Sequence, residues 1–278
     1  MLLSIAGPVR AQDAQALRAR HAELRAELAD NSFGRPLHVE SSEDAGRHVG
    51  AVHAVIDEPF KRLSSALRRG AQWCEVLILQ PNVKHCEAPN DGEALSLFVG
   101  RKAADSLEQA YRAEFSFNVP AASAEYLRVT LETPEGPLGT TDYRIRLEAT
   151  PLDGNRTFLR LAYSYTLRTA ARMGMSMYLS TSGRDKVGFS VVERTADGRP
   201  VYVGGVRGVV ERNTMRYYLA LEAYLGTLDV RAPERVEKRL HAFHAGLERY
   251  PRQLREHSLA EYLEIKRRDV SRVMQARQ

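Results

Sequence analysis

Hydrophobic positions recur with two different periods along this chain, and the change of period organises it. Residues 12–30 form a polar stretch rich in Ala, Arg and Glu that reads as a solvated helix. Residues 31–46, beginning Asn31-Ser32-Phe33-Gly34-Arg35-Pro36, carry turn chemistry and read as loop. From His48 to Ile56 the chain alternates: Val49, Ala51, His53 and Val55 fall on one face, Val52, Ala54 and Ile56 on the other. That pattern predicts a strand with little polar character on either face. Asp57-Glu58-Pro59 ends it, with Asp57 suited to a helix N-cap and Pro59 to a first helical turn. The helix is expected from Pro59 to about Arg69, with Phe60, Leu63 and Leu67 on one face and Gly70 stopping it. A second short helical segment carries Trp73, Cys74, Val76 and Leu77.

From Leu95 the period becomes two. Segments near 95–101, 111–119, 124–132, 141–150, 157–168, 186–194 and 200–212 all read as strands. The linkers Asp153-Gly154-Asn155 and Ala196-Asp197-Gly198 contain Asp-Gly, strong hairpin chemistry, so an antiparallel meander is expected. Tyr143, Ile145 and Leu147 share a face opposite Arg144, Arg146 and Glu148. Leu159, Leu161, Tyr163, Tyr165 and Leu167 share a face opposite Arg160, Ser164 and Thr166. One sheet face is therefore predicted to be apolar and aromatic, the other wet. The segment 170–183 interrupts with Met173, Met175 and Met177; Met173 and Met177 share a helical face. Two roles are open for it, a gate at a cavity mouth or a small helix plugging the sheet. Residues 214–228 return to helical spacing with Tyr217, Leu221, Tyr224 and Leu228, capped by Asn213 or Thr214. Residues 234–249 and 257–276 read as two further helices, too polar to form a core of their own.

A curved sheet with one apolar face needs a cover, and the helix at 214–228 is the natural one. Where side chains fail to fill the space between sheet and helix, the remainder is a cavity, usually apolar with a few polar groups. The expected class is α+β: a curved antiparallel sheet wrapped on a long C-terminal helix, with extra helices at both ends. The opening strand running into Val55-Ile56-Asp57-Glu58-Pro59-Phe60, the helix bearing Leu63 and Leu67, Trp73 just after it, and the late Tyr217-Tyr218-Leu219 helix resemble the START-like (SRPBCC, helix-grip) superfamily. That group includes lipid-transfer domains and polyketide cyclases and aromatases. The resemblance covers roughly residues 47–228, leaving 12–46 as an N-terminal helix and loop and 229–278 as a C-terminal helical extension. It implies an enclosed cavity for a hydrophobic or amphipathic molecule.

Composition narrows the partners. The 278 residues are 44% hydrophobic and 27% charged, which excludes a disordered chain. No apolar run reaches the roughly 20 residues of a membrane span. Residues 231–278 hold 12 basic and 7 acidic side chains, and residues 1–230 hold 28 of each. A nucleic-acid binder is expected to carry its excess on the folded body, so nucleic acid is not an expected partner. The basic tail leaves room for a peripheral contact with a membrane or a partner protein through the C-terminal helices. Leu2, Leu3, Ile5 and Ala6, followed by Val9-Arg10-Ala11, read as a remnant of a clipped signal peptide over 1–11. A periplasmic or otherwise exported location is therefore expected, with a cytoplasmic one as the alternative. Cys74 and Cys86 fit the same expectation as a disulfide; two buried thiols are the other reading, and their spacing matches no zinc pattern.

Catalytic patterns are sparse. Gly204-Gly205-Val206-Arg207-Gly208 lacks phosphate-loop spacing and reads as a bulge in a strand. His241 and His244 lie three apart on a helix without a third ligand and read as a solvated face; no metal or other cofactor is expected. Arg207 and Glu211 alternate with valines, either as an outward ladder or as orienting groups in the cavity. The expected cavity wall is Phe115, Phe117, Tyr143, Leu161, Tyr163, Tyr165, Met173, Met177, Phe189, Arg207, Tyr218 and Leu221. The expected function is non-catalytic binding or transport of a hydrophobic or amphipathic small molecule such as a lipid, sterol or polyketide-like compound. The alternative is a cyclase, aromatase or hydrolase acting on such a molecule, which needs an acid or base of shifted pKa in the cavity.

Overall fold

The computed structural model describes residues 8–89, 92–181 and 183–276. The signal remnant read at residues 1–11 falls largely outside them. The chain begins with helices α1 (Pro8–Glu23) and α2 (Arg25–Ala29), then strands β1 (Leu37–Asp44) and β2 (Arg47–Ile56). Helices α3 (Phe60–Ala66) and α4 (Gly70–Leu77) interrupt before β3 (Val83–Glu87), β4 (Ala94–Val99), β5 (Tyr111–Ala122), β6 (Leu127–Glu135), β7 (Thr140–Pro151) and β8 (Thr157–Leu167). There follow α5 (Thr169–Ser180), β9 (Val191–Arg194), β10 (Pro200–Tyr202), α6 (Gly205–Leu225), α7 (Ala232–Glu248), α8 (Pro251–Leu254) and α9 (Leu259–Ala276). Strands β1 to β8 form one antiparallel sheet in the order β1-β2-β8-β7-β6-β5-β4-β3, and α6 lies across its inner face. This is the α+β helix-grip arrangement.

Two edge strands were missing from the sequence pattern. β1 lies in the segment read as loop because only its first half alternates, Leu37 and Val39 buried and His38 and Glu40 less so; the rest is Ser, Glu and Asp at an open edge. It joins β2 through a two-residue turn in which Ala45 (φ 47°) and Gly46 (φ 81°) are both left-handed, the geometry that suits strand twist. β3 is five residues long, too short to show a period. Gly70 does not end a long helix but opens α4, and the Trp73 indole N–H donates to the Leu67 carbonyl (3.0 Å) at the end of α3. Cys74 of α4 and Cys86 of β3 form a disulfide, Cα–Cα 5.3 Å, fastening the helical insert to the sheet edge.

The largest correction falls at 200–212. The strand expected there ends at Tyr202, and Gly205 starts the gripping helix two turns earlier than predicted. Valines mimic a strand, yet Val206, Val209 and Val210 recur at helical spacing once the Gly204-Gly205 turn, φ 61° at Gly205, has redirected the chain. Asn213 and Thr214 are consequently mid-helix residues, not caps. The strand read at 186–194 shrinks to Val191–Arg194 and pairs with β10 in a separate two-stranded ribbon closed by the Asp197-Gly198 turn.

Close approach holds α6 in the sheet. A Cβ on Gly50 of β2 would lie 2.4 Å from Thr214 Oγ1 and 3.2 Å from the Val210 carbonyl, so only glycine permits this separation. Beside it the Glu211 carboxylate, fully buried, accepts from Ser41 Oγ (2.6 Å), the Phe189 N–H (2.6 Å), the Ser190 N–H (2.9 Å) and Ser190 Oγ (2.7 Å). The C-terminal helices are not a separate unit, since Leu240, Phe243, Leu247, Tyr262 and Leu263 join the main core.

The outer sheet face is not uniformly wet. Ala14, Leu17, Leu24 and Leu28 of the N-terminal helices pack on Tyr126 and Phe158 as a second apolar cluster. His53 is sealed against Phe158, the rings near parallel at 6.2 Å between centroids. Neither ring nitrogen has a hydrogen-bond partner, the Glu40 carboxylate lying 3.8 Å away. Burial, with Arg160 and Arg20 nearby, pushes this imidazole down to about 3. The unfolded chain therefore takes up a proton below about pH 6.5 that the folded chain refuses, and stability falls as the pH falls through that range. We expect His53→Phe, which keeps the stacking and removes the titration, to flatten the stability profile between pH 6.5 and 4.5, by up to about 1.4 kcal/mol per pH unit. Urea titrations of both proteins across that range check this, and parallel profiles exclude His53 as the source.

Candidate functional site

The helix grips only part of the sheet. α6 packs on β1, β2 and β8, while β3, β4, β5 and β7 stand away from its N-terminal half. The space between is a cavity of about 1040 Å³. Val83, Leu97, Val99 and Leu167 give its apolar floor; Tyr111, Tyr143, Tyr163 and Tyr165 give aromatic walls; Val209, Arg212, Asn213, Arg216 and Tyr217 of α6 form the roof. α5 and the Glu256-His257 turn between α8 and α9 flank it.

The tyrosines sit there because of strand periodicity and one irregularity. Tyr163 and Tyr165 are two apart on β8 and share its inner face. The β7–β8 register shifts between Thr141 and Arg144, opposite Tyr165, with Asp142 left-handed (φ 50°). Such a bulge bends the strand and re-aims its side chains. The Tyr143 and Tyr217 hydroxyls are 2.6 Å apart, and Tyr163 packs on Tyr143, Tyr165 and Tyr217 at 5.0, 5.4 and 5.3 Å between centroids. Burial raises the Tyr143, Tyr163 and Tyr165 hydroxyls well above the usual phenol range and pushes Tyr217 up to about 12. These groups are thus neutral donors and acceptors near neutral pH, not bases. The Tyr165 hydroxyl is buried without a hydrogen-bond partner.

Charge is concentrated on the roof and flank. Arg216 donates to Glu256 (2.7 Å), which also accepts from Lys186 (2.9 Å). Burial would raise the Glu256 carboxyl, but Arg216 and Lys186 outweigh it and hold the group down at about 2. Arg212 is 2% exposed. Its nearest acceptors are the Val187 carbonyl at 3.5 Å and the Tyr178 hydroxyl at 3.4 Å, and its Nε has none.

The expected wall residues divide. Tyr143, Tyr163 and Tyr165 line the cavity. Phe115, Phe117 and Leu161 are buried in the core and lie outside its lining. Tyr218 and Leu221 face a separate cavity of about 460 Å³ at the other end of α6, where Arg35 bridges Tyr218 and Glu222. Phe189 packs on Phe33 and Tyr250, outside the lining. Arg207 is neither in the cavity nor on an outward strand ladder: on α6, its guanidinium donates to Ser41 Oγ (3.2 Å) and the Ser41 carbonyl (3.1 Å). Met173 and Met177 are each 70% exposed and point away. α5 presents instead Ala171, Gly174, Met175 and Tyr178, the i, i+3, i+4, i+7 stripe. The methionine pair has the right spacing but the wrong phase. His244 is buried against the His257 carbonyl (3.1 Å), and His241 is half exposed beside Glu237. Among the described residues no three His, Cys, Asp or Glu side chains converge as a metal site. Arg212 was missed because the helix start was missed; Arg216 and Tyr217 lay within the helix expected at 214–228 but were not assigned to the cavity wall. The signal was present, since Val209, Arg212, Asn213, Arg216 and Tyr217 fall on one helical face.

A long helix held in an antiparallel sheet, with a cavity at the junction, is the helix-grip arrangement expected from the sequence. No family model and no curated protein sequence matches it. Solved structures overlap it. The ZhuI aromatase/cyclase of Streptomyces covers 70% of this chain and 98% of its own, at 16% identity and a TM-score of 0.38. A norcoclaurine synthase point mutant from Thalictrum flavum, bound to a transition-state analogue, covers 52% and 89%, at 12% identity and a TM-score of 0.36. The di-domain aromatase/cyclase BexL covers 49% and 42%, at 11% identity and a TM-score of 0.32. Overlaps at this level decide nothing about the reaction.

The α5 geometry gives a test. Hydrophobic-dye uptake is expected to fall at least threefold in Met175→Glu, which puts a charge on the cavity flank, and to stay within twofold in Met173→Gln/Met177→Gln. That threefold is about 0.7 kcal/mol, a modest fraction of a buried methionine's transfer energy. Equal losses in the two proteins exclude the assigned phase of α5.

Proposed function

We propose that this protein binds an amphipathic small molecule in the cavity under α6, sheltering its apolar body against the sheet and holding its polar end with the groups of α6 and β8. The observation that carries the reading is the cavity itself, about 1040 Å³ in extent and lined by aliphatic and tyrosine side chains. That is the size and character of small-molecule sites, apolar with few polar groups for orientation. The driving term is removal of apolar surface from water, about 25 cal/mol per Å².

Carriage fits the tyrosines and the carboxylate of this lining better than catalysis. The tyrosines are raised into the neutral form, and Glu256 is fixed as the counter-ion of Arg216 and Lys186. A general acid or base needs a pKa near the working pH and a proton free to move, and neither kind of group offers that. The test is native mass spectrometry of protein purified without detergent, followed by extraction. A near-stoichiometric apolar or amphipathic molecule is expected. Protein that is empty and takes up no member of a panel of lipids, sterols and aromatic polyketides excludes the reading; chemical conversion of a bound molecule moves it to an enzyme.

We also propose an exported, oxidising location, supported by the Cys74–Cys86 disulfide. Protein taken from its own cells and alkylated without reductant is expected to carry no adduct at either cysteine. Full alkylation of both places it in a reducing compartment.

A further inference from the structure

The cavity has an electrostatic bias its size does not require. Four cationic side chains line it, Arg101, Lys102, Arg212 and Arg216, against one carboxylate, Glu256. That carboxylate is committed to Arg216 and Lys186. Arg212 is the inner member of the set and the least provided for. It is almost fully buried, and among the described residues it has no hydrogen bond shorter than 3.4 Å and no acceptor at Nε. Buried charges are ordinarily paired, and a guanidinium presents donors in a fork that matches a planar two-oxygen acceptor. The Tyr165 hydroxyl, also buried and without a partner, lies near enough to feel the Arg212 charge. Arg212 Nε and the Tyr165 hydroxyl both belong to residues lining this cavity, and both are donors that a two-oxygen acceptor would engage.

We infer that the ligand of this cavity is a long-chain carboxylate, its head held by Arg212 and Tyr165 and its chain lying along the apolar floor. The inference rests on the proposal that the cavity binds an amphipath, and it adds the head-group chemistry. Val83, Leu97, Val99 and Leu167 then meet the chain. Glu256 hydrogen-bonds Arg216 and Lys186 and acts on Arg212 only through space, so the Arg212 guanidinium keeps its Nε donor for the head.

The test compares hexadecanoate with hexadecanol, identical in chain and different in charge, by displacement of a fluorescent probe from the full chain at pH 8. Wild-type protein is expected to bind hexadecanoate at least about tenfold more tightly, the scale of one charge-assisted hydrogen bond. Arg212→Gln is expected to abolish that preference while leaving hexadecanol within about threefold of wild type, as loss of a head-group contact alone requires. Tyr165→Phe is expected to weaken hexadecanoate severalfold without affecting hexadecanol, and it carries the test if Arg212→Gln does not fold. Equal affinity of wild type for the two compounds overturns the carboxylate inference and leaves amphipath binding standing. Parallel losses of both compounds in both variants do the same, because they assign Arg212 and Tyr165 to packing. Failure of wild type to bind either compound, together with an empty native mass spectrum, overturns amphipath binding and the inference with it.

Discussion

The separation between α6 and β2 at Gly50 sets the geometry of everything else. A helix normally stands about 10 Å from a sheet, filled by interlocking side chains. Here the absent side chain at Gly50 lets Thr214 and the Val210 carbonyl come down onto the strand. Glu211, on the neighbouring turn, locks the approach by gathering donors from β1 and from the 189–190 segment. The helix is thus pulled to one side of an eight-stranded sheet. A straight rod pressed against β1, β2 and β8 cannot also touch β3, β4 and β5, and the void is the geometrical consequence.

An asymmetric grip needs the open side closed by other means. The disulfide ties α4 to β3, and α9 packs against β3, covering what would be an exposed sheet edge. Beneath α9 the Lys266 ammonium donates to the carbonyls of Gln80 and Val83 and to Asp269 (3.1, 2.5 and 3.1 Å), while Lys84 lies 3.6 Å from the same Asp269. Two buried lysines share one carboxylate, and burial brings Lys266 down to about 8. Such a clamp is specific but not strongly stabilising, because desolvation opposes the Coulomb gain. The Tyr262 hydroxyl donating to the Leu79 carbonyl (2.8 Å) adds direction to the same contact. The basic tail, read from sequence as helices too polar for a core of their own that pack on the domain or extend from it, completes the wall near the cavity, and its Glu256 enters the lining.

What the sequence revealed and what it hid follow from range. Strands β2, β4, β5, β6, β7 and β8 were legible because one face of each meets the core and the period of two is written in local residues. Tyr143, Tyr163 and Tyr165 were legible for the same reason. Edge strands β1 and β3 were not: the second half of β1 is Ser, Glu and Asp with no alternation, and β3 is five residues long, too short to show a period. The two phase errors have one origin. Val206 to Val210 and Met173 to Met177 are apolar runs compatible with more than one period or face, and a tertiary partner decides between them: Gly50 and Ser41 for the first, the cavity for the second. Arg212 was hidden more deeply. A charged residue in a run of Glu-Arg-Asn looks like surface until the helix is known to start at Gly205.

Burying Arg212 opposes folding, and the chain returns only part of the cost. Burial disfavours the charged form, the Tyr178 hydroxyl and the Glu256 carboxylate favour it, and the neighbouring cation Arg216 opposes it. A leucine or methionine of similar volume would fill the same space under α6 at lower cost, as buried ion pairs replaced by apolar side chains generally show. The tail supplies one nearby carboxylate, Glu256, which hydrogen-bonds Arg216 and Lys186 and reaches Arg212 only through space. A buried guanidinium whose Nε has no acceptor, on the wall of the larger of the two cavities beside α6, is where the proposed head group would add a partner. The same reasoning separates the two ends of α6. At the smaller cavity Arg35 is satisfied by Glu222 and Tyr218, and Arg249 also reaches Glu222 at 3.3 Å, so both guanidinium groups there have a carboxylate partner within the chain. Arg212 at the other end has no carboxylate in hydrogen-bond contact among the described residues, and that difference is what the proposed head group would use.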